Sequence, residues 1–259
     1  MSTTHESTTH ENKVAIVTGA SRGIGLGIAQ RLVADGARVI ITARKTEALD
    51  AAVRALGGPE HAIAFAGHAD DPAHQDEVVA AAREAFGRLD YLVNNAGINP
   101  SYGPMLEMDL ESARKILEVN VLSAFSWTKK VVGASLGTPE VPGGAIVNVA
   151  SIAGLGATGL LGWYAVSKAG LIHLTTELGY QLGPDVRVNA VAPGIVKTDF
   201  AQALYAGREE KVARRYPLRR LGVPEDISGA VSFLLSGDSS WMTGQTVVLD
   251  GGSTLAGPM

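Results

Sequence analysis

Two hydrophobic patterns alternate along the chain from Lys13 onwards. Short runs of small and β-branched apolar residues, such as Val14–Val17 and Ala145–Val149, are typical of buried strands. The segments between such runs, for example 46–56 and 73–86, place apolar residues at helical spacing and are followed by glycine. Because strands that are apolar on both faces need helices on both sides, the pattern predicts an α/β fold with a parallel sheet.

The expected architecture is a single doubly wound Rossmann-type domain with a parallel sheet of about seven strands and helices on both faces. We expect strands over 14–17, 38–42, 62–65, 90–93, 145–149, 186–191 and 246–249, and helices over 26–35, 46–56, 73–86, 110–136, 164–182 and 225–235. No linker or shift of composition interrupts this series. Residues 13–259 are therefore predicted to form one domain, which includes a substrate loop over about 197–220.

The first residues form a polar duplication, in which Ser2–Glu6 and Ser7–Glu11 have the same sequence. A segment with no apolar face cannot bury surface, so we expect a disordered tail over 1–12. Two histidines on such a segment are weak support for a metal ion. No metal site is predicted anywhere in the chain.

Composition and charge exclude several classes of partner. The 259 residues carry a net charge of −4, which disfavours nucleic acid. Residues 141–167 lack charged side chains and are long enough to cross a bilayer, but six glycines and several polar groups favour a strand, a loop and the start of a helix. We therefore expect no membrane partner. With no cysteine and no pattern of a secretory signal, a cytoplasmic location is expected.

The first predicted strand leads into the glycine-rich segment Thr18–Gly25 and then into a helix. Glycines at such a turn let backbone N–H groups and the helix N-terminus approach a pyrophosphate. A purely structural turn is the alternative, since a glycine-rich turn by itself is weak evidence. The spacing TGxxxGxG differs from the general dinucleotide fingerprint, because three residues separate the first two glycines.

Further motifs follow in order: Asn94–Gly97 after the fourth predicted strand, Tyr164–Lys168 on a helix, and Pro193-Gly194 after the sixth strand. Together with the TGxxxGxG turn, Asn120 and Ser151, these segments resemble the short-chain dehydrogenase/reductase family, most closely the 3-oxoacyl-[acyl-carrier-protein] reductases in pattern. The resemblance covers residues 14 to about 252.

The resemblance implies an oxidoreductase that transfers a hydride between a nicotinamide and a carbonyl or secondary alcohol. The catalytic residues it implies are Asn120, Ser151, Tyr164 and Lys168. The cofactor-binding residues are Gly19, Ser21, Arg22, Gly23, Ile24, Gly25, Arg44, Asn95, Ala96, Gly97, Tyr164, Lys168, Pro193, Gly194, Ile195, Val196 and Thr198.

Tyr164 and Lys168 lie four residues apart on a predicted helix, which places both side chains on one face. A nearby ammonium and an oxidised nicotinamide favour the phenolate, so we expect the pKa of Tyr164 to fall below its ordinary value. Tyr164 is then the general acid or base. By resemblance, Lys168 also holds the ribose, Asn120 holds a water, and Ser151 holds the substrate oxygen.

The choice of cofactor is expected at the end of the second strand. An acidic side chain there would bind the ribose 2′-hydroxyl of NAD, but the position is Ala43. Arg44 follows it and Arg22 lies in the glycine-rich turn, so two guanidinium groups are available for a 2′-phosphate. We therefore predict NADP(H). The family usually has an aspartate at the adenine after the third strand, where this chain has His68-Ala69.

The substrate is less well determined. Residues 205–220 contain six basic and two acidic side chains, which fits either an anionic substrate, such as a carrier-bound thioester, or a solvated helix face. Residues 133–140 lack the basic cluster that such reductases often show. We therefore favour a free small or medium ketone or alcohol over the alternative of a 3-oxoacyl-[acyl-carrier-protein]. A non-catalytic NADP-binding sensor and another Rossmann enzyme, such as a methyltransferase, are the remaining alternatives.

The positions of the loops predict the apolar contacts to the substrate. The resemblance to the family implies how the chains assemble. One wall of the substrate site is expected to contain Ile152, Leu155 and Leu161, and the opposite wall Asn99, Pro100 and Tyr102. The family commonly forms homotetramers, with dimers as the alternative, through two long helices and the last strand. Trp127, Val131 and Val132 are expected either at that interface or in the core.

Overall fold

The computed structural model describes residues 9–100 and 102–256. Its strands are β1 (Val14–Thr18), β2 (Arg38–Ala43), β3 (Ala62–Ala66), β4 (Tyr91–Asn94), β5 (Ala145–Val149), β6 (Arg187–Pro193) and β7 (Thr246–Leu249). Its α-helices are α1 (Gly23–Ala34), α2 (Thr46–Ala55), α3 (Pro72–Phe86), α4 (Leu110–Leu117), α5 (Ser123–Ala134), α6 (Gly162–Gln181), α7 (Gln202–Tyr205), α8 (Glu209–Ala213) and α9 (Pro224–Leu235).

The seven strands form one sheet in the order β3-β2-β1-β4-β5-β6-β7, and every neighbouring pair is parallel. The predicted doubly wound α/β fold is therefore confirmed. The strand order reverses between β1 and β4. In open parallel sheets a ligand binds outside the carboxyl ends of the strands at such a point, so the topology itself indicates where the site lies.

Successive residues of the central strands point to opposite faces of the sheet and contribute to two hydrophobic cores, one on each face. Ala15 and Val17 of β1 pack with residues of α1, α2 and α9, whereas Val14 and Ile16 pack with residues of α3, α5 and α6. Trp127 of α5 is 1% exposed and belongs to the second core. Val131 is also buried there and Val132 packs against it, so all three residues considered for an interface belong to the core.

The predicted helix over 110–136 is present as one helical run, but it is not α-helical throughout. It divides into α4, a π-helical turn over Glu118–Leu122, and α5, and it ends at Ala134. The turn contains Asn120, whose side chain bonds to both backbone polar groups of Ile98. A π turn accommodates an extra residue within a helix and often occurs at functional sites.

The described residues contain no helix that is both long and apolar enough to cross a membrane. The uncharged stretch 141–167 instead comprises β5, a loop with a 3₁₀ turn, and the first residues of α6, as expected. Helix α1 begins at Gly23 rather than at Leu26, because the glycine-rich turn itself supplies the first helical residues.

The amino-terminal tail differs from the expectation in its last residues. Residues 1–8 lie outside the described part of the chain, but Thr9–Asn12 form a turn in which His10 is fully buried. The His10 ring bonds through Nδ1 to the Tyr91 hydroxyl at 3.3 Å and through Nε2 to Ser232 Oγ at 3.0 Å. Ser232 in turn donates to an Asp35 carboxylate oxygen at 2.6 Å. A polar residue is tolerated in this position because the fold supplies partners for both ring nitrogens.

This burial predicts a pH-dependent stability. Burial lowers the pKa of His10, since the charged imidazolium loses its water, and the nearby Asp35 only partly offsets this effect. A histidine with a depressed folded-state pKa binds its proton more readily in the unfolded state, so its stabilising contribution is lost as the pH falls through about 6.5. We expect the free energy of unfolding to decrease more between neutral and mildly acidic pH in the wild type than in His10→Gln. Urea denaturation of both proteins at the two pH values measures this difference, and equal pH dependence would contradict it.

Candidate active site

The residues implied by the sequence motifs come together at the carboxyl edge of the sheet. The turns after β1, β4, β5 and β6 contribute to this edge, and the amino-terminal half of α6 crosses it. Contacts between the turns join them directly: Gly23 lies against the Thr198 side chain, and Gly97 lies close to Asn120 and Lys168. Four turns and helix α6 therefore form one site.

The glycine-rich turn is shaped for an anion. Gly19 and Gly23 have φ values of +65° and +58°, a region that side chains disfavour. A Cβ at Gly25 would lie 2.5 Å from Asn95 Nδ2, so only glycine allows this approach. In the described part of the chain no side chain caps the first turn of α1. The N–H groups of that turn and the positive end of the helix dipole fit a pyrophosphate, as a dinucleotide would supply.

Thr18 is the first residue of the TGxxxGxG turn, was not among the predicted site residues, and holds two turns of the site together. Its buried hydroxyl donates to the Val93 carbonyl at 3.3 Å and accepts from the backbone N–H groups of Asn95 and Ala96, each at 3.0 Å. The Asn95 amide also donates to the carbonyl oxygens of Thr18 and Gly19. These bonds fix the turn after β4 against the glycine-rich turn. The signal available in the sequence was a polar residue at the end of an apolar strand.

Lys168 is 4% exposed, and its ammonium donates to the carbonyl of Val149 at 2.7 Å. The Lys168 nitrogen also lies 5.7 Å from the centroid of the Tyr164 ring, as expected for residues four apart on one helix face. The Tyr164 hydroxyl hydrogen-bonds the Ser151 side chain. The three side chains thus lie together where β5 ends against α6.

The direction of the Tyr164 pKa differs from the sequence-based expectation. Burial of the phenol raises the pKa of Tyr164 to about 12, and the bond from Ser151 opposes this only in part. Burial also lowers the pKa of Lys168 to about 8, because the charged amine is removed from water. The expectation of a lowered phenol pKa was therefore wrong for the chain's own groups. The desolvation of both residues, which the sequence pattern does not reveal, outweighs the attraction between them.

Ser151 follows β5 and caps a 3₁₀ turn over Ile152–Gly154. Its Oγ accepts the Ala153 N–H at 3.1 Å. A Cβ at Gly154 would lie 2.6 Å from the carbonyl carbon of Lys168 and 2.7 Å from Ala169 N, so this turn packs directly on the backbone of α6. The glycine sets the spacing between Ser151 and the helix that carries Tyr164.

Asn120 lies in the π turn and is 1% exposed. Its side-chain oxygen accepts the Ile98 N–H at 2.8 Å, and its amide donates to the Ile98 carbonyl at 3.0 Å and to Ser167 Oγ at 2.9 Å. Asn120 therefore connects the turn after β4 with α6. Both the oxygen and the amide nitrogen of its side chain are used in these hydrogen bonds.

The segment after β6 carries the last predicted cofactor residues. Pro193 is the final residue of β6, and Gly194 follows it against Asp250. Ile195 already has protein partners, because its N–H donates to the Tyr216 hydroxyl at 3.1 Å and its carbonyl accepts the Gly222 N–H at 3.0 Å. Both backbone polar groups of Ile195 are therefore used within the protein. Of the two residues predicted to make backbone contacts with the cofactor, Val196 is thus the better candidate.

Thr198 closes this segment. It caps the 3₁₀ turn over Asp199–Ala201, and its hydroxyl donates to the Val196 carbonyl at 3.3 Å. A Cβ at Gly23 would lie 3.2 Å from the methyl carbon of Thr198. Thr198 therefore joins the segment after β6 to the glycine-rich turn.

The two arginines expected at a 2′-phosphate differ in their surroundings. Arg44 is exposed directly after β2, next to the half-buried Ala43. Arg22 is also exposed but forms an ion pair with Asp199 at 3.1 Å. His68 is exposed, and Asp70 is paired with Lys115. Burial acts to raise the pKa of Asp70, but the bond from Lys115 outweighs it and lowers that pKa. Asp70 is therefore an ionised carboxylate that is already paired with Lys115.

Apolar side chains lie next to Tyr164 and to the start of α6. The Phe200 ring lies 6.1 Å from that of Tyr164, and Met105 lies against Gly162 at the start of α6. Tyr102 and Leu155 are 44% and 47% exposed. Of the other predicted wall residues, Ile152, Leu161 and Asn99 are half-buried, whereas Pro100 is exposed.

The basic segment 205–220 is partly neutralised within the protein. Arg214 pairs with Glu210, and Arg220 forms two bonds to Asp226. Glu209 pairs with Lys197, at the start of the predicted substrate loop. These pairs favour the interpretation of a solvated helix surface over a binding site for an anionic substrate.

Comparison with known proteins identifies the family. A family model described as "Enoyl-(Acyl carrier protein) reductase" matches residues 19–254. Proteins named dehydrogenase/reductase SDR family member 4 are similar to this chain: that of Oryctolagus cuniculus is 42% identical over 252 residues, covering 93% of this chain and 94% of the relative. The protein of the same name from Homo sapiens is 40% identical, covering 93% of this chain and 87% of the relative.

Solved structures agree with this result. A short-chain dehydrogenase/reductase from Brucella melitensis, titled as a glucose/ribitol dehydrogenase, superposes with a TM-score of 0.87 at 33% identity, covering 95% of this chain and 98% of that one. A short-chain type dehydrogenase/reductase from Mycobacterium ulcerans gives a TM-score of 0.88 at 31% identity, covering 95% and 91%. The closer resemblance to 3-oxoacyl-[acyl-carrier-protein] reductases remains one of motif pattern. With its motifs gathered at one edge of a parallel sheet, the chain belongs to the short-chain dehydrogenase/reductase family.

Proposed function

We propose that this protein is an NADP(H)-dependent oxidoreductase that reduces a free ketone or oxidises the corresponding secondary alcohol. The observation that carries the proposal is the cluster of Ser151, Tyr164 and Lys168, in which Lys168 lies close to Gly97 of the turn after β4. A bound nicotinamide would supply or accept the hydride at the carbonyl carbon. The chain's own residues handle the proton and the substrate oxygen.

The protonation states support reduction at neutral pH. With its pKa raised to about 12, the Tyr164 phenol keeps its proton and is available as a general acid. The Ser151 Oγ accepts from a backbone N–H, and its own O–H would pass from the Tyr164 hydroxyl to the substrate oxygen when substrate binds. Lys168 uses one N–H at Val149 and has two for ribose hydroxyls.

A pH profile tests the role of Lys168. Below its pKa of about 8 the buried amine is positively charged and stabilises the phenolate that forms as Tyr164 gives up its proton. We therefore expect kcat/KM for ketone reduction to fall as the pH rises through about 8. Initial rates at saturating NADPH across neutral and alkaline pH measure this effect. A profile that is flat up to about pH 10, where free tyrosine titrates, would contradict it.

The cofactor preference rests on Ala43, Arg44 and Arg22. Charge-assisted bonds to a 2′-phosphate contribute about 1.5–3 kcal/mol, so we expect Arg44→Ala to weaken NADPH binding by about 10- to 100-fold. The same substitution is expected to leave NADH binding unchanged, because NADH lacks that phosphate. Fluorescence titration of both cofactors checks this prediction. Tighter binding of NADH than of NADPH by the wild type would reverse the assignment.

The exposed side chains of Tyr102, Leu155 and Phe200 support a free apolar ketone as substrate, since they offer surface to carbon chains or rings. A 3-oxoacyl group on an acyl carrier protein is the alternative, and it is disfavoured by the ion pairs that Arg214 forms with Glu210 and Arg220 with Asp226. A panel of free ketones and carrier-bound substrates with NADPH separates the two. Turnover of any of them excludes a non-catalytic NADP-binding sensor.

We also propose a homotetramer working in the cytoplasm. Exposed apolar residues form two groups: Leu110, Leu122, Phe125 and Val166 on α4 to α6, and Phe233, Trp241 and Val248 near the edge strand β7. Apolar residues exposed at two separate faces support association through both. Sedimentation velocity is expected to show a tetramer for the wild type and a dimer for Phe125→Glu. A wild-type monomer would contradict the proposal.

A further inference from the structure

A buried tyrosine outside the family motifs supports the segment after β6. Tyr216 lies at the end of segment 205–220, where the sequence otherwise shows basic residues, and it is 2% exposed. Burial raises the pKa of its phenol, so the hydroxyl remains neutral. A neutral buried hydroxyl needs hydrogen-bond partners, and the identity of those partners indicates its task.

The Tyr216 hydroxyl accepts the Ile195 N–H at 3.1 Å and hydrogen-bonds the Ser253 side chain. It therefore joins the segment after β6 to the turn after β7. Ile195 lies between Gly194 and Val196, within the segment that resembles the family's nicotinamide-binding segment. The bond to the phenol fixes the peptide plane between Gly194 and Ile195, one peptide before the Val196 N–H.

Two glycines lie against neighbouring atoms of the Tyr216 ring. A Cβ at Gly194 would lie 3.3 Å from Tyr216 Cε1, and a Cβ at Gly251 would lie 3.3 Å from Tyr216 Cδ1. The backbone of the same region adds two further connections, from Arg219 N–H to the Tyr216 carbonyl and from Leu218 N–H to the Gly251 carbonyl. The ring has little freedom to move away from Ile195.

We propose that Tyr216 is a positioning residue for the nicotinamide end of the cofactor. Its hydroxyl holds the Ile195 N–H, and so presents the next residue, Val196, and Thr198 to the carboxamide. This inference rests on the proposed function. The Tyr216 hydroxyl is not expected to contact the adenine half of the cofactor. The residues considered for that half, Arg44 and His68, belong to the turns after β2 and β3, at the other end of the carboxyl edge of the sheet.

The test compares a whole cofactor with its adenine half. We expect Tyr216→Phe, which removes only the hydroxyl, to weaken NADPH binding by about tenfold, the typical effect of one buried hydrogen bond. Binding of adenosine 2′,5′-bisphosphate, which has no nicotinamide, is expected to remain unchanged. Both affinities are measured by isothermal titration calorimetry of the full-length protein.

Tyr91→Phe is the matched control. Tyr91 is also a buried phenol with a hydrogen bond, to His10, and as the first residue of β4 it lies at the opposite end of that strand from the turn that contacts the glycine-rich turn. We expect this variant to bind both ligands as the wild type does. Equal affinities of Tyr216→Phe and wild type for NADPH would overturn the inference, and so would an equal loss for both ligands, which would indicate only a structural role. If the wild type itself bound no NADPH, the proposed function would fail instead.

Discussion

Tyr164→Phe is expected to reduce kcat for ketone reduction by about 10²- to 10⁴-fold, because the general acid is removed while the ring remains. The phenol is the group beside Ser151 and Lys168 from which a proton can reach the substrate oxygen. We expect NADPH affinity to change little, since the glycine-rich turn and Arg44 are untouched. Steady-state rates and fluorescence titration measure the two effects separately.

Tyr180→Phe is the matched control for this substitution. Tyr180 is on the same helix, α6, but it is 88% exposed. We expect its loss of a hydroxyl to leave kcat and NADPH affinity as in the wild type. If Tyr164→Phe kept the wild-type rate, the proton would have to come from another group and the proposed chemistry would be wrong.

The second large effect is expected at Gly154, which carries no functional group. A Cβ there would lie within 2.7 Å of backbone atoms of Lys168 and Ala169, which cannot move aside as a flexible side chain can. Gly154→Ala therefore separates the Ser151 turn from α6. A displacement of about 1 Å costs on the order of 10²-fold in kcat, and the crowding costs about 1–3 kcal/mol of unfolding free energy.

Gly156→Ala provides the comparison, because a Cβ at Gly156 has no heavy atom within 4 Å among the described residues and its φ is outside the left-handed region. Both substitutions add one methyl group to the same loop. We expect Gly156→Ala to match the wild type in rate and in the midpoint of urea denaturation. Equal behaviour of the two variants would show that the close packing of Gly154 does not set the geometry of the site.

The fold was predictable from the sequence because each central strand is a short apolar run bounded by polar residues or glycine. The bounds moved by a few residues, as at β6, which continues to Pro193. The π turn at Asn120 was not predictable, since the apolar spacing of 110–136 continues through it. That turn depends on hydrogen bonds to Ile98, 22 residues away in sequence.

Long-range partners explain the other differences. His10 belongs to a polar repeat, and its burial depends on Tyr91 and Ser232, which are 81 and 222 residues away. The contacts of Tyr216 could not be predicted for the same reason, because this tyrosine lies in a segment whose sequence is mainly basic and its partners are distant in sequence. Motif spacing places Tyr164 and Lys168 next to each other, but it does not reveal how far each is removed from water, and this burial decides the direction of both pKa shifts.

The most direct test of the proposed chemistry is the pKa of the Tyr164 phenol with and without NADP⁺, measured by ultraviolet absorbance of tyrosinate as the difference between wild type and Tyr164→Phe. We expect a value near the 12 set by burial in the free protein. In the NADP⁺ complex we expect a pKa below the ordinary value of about 10, because the amine and the cationic ring then both stabilise the phenolate. A pKa that stayed near the free-protein value in that complex would contradict the assignment of Tyr164 as the acid and base of the reaction.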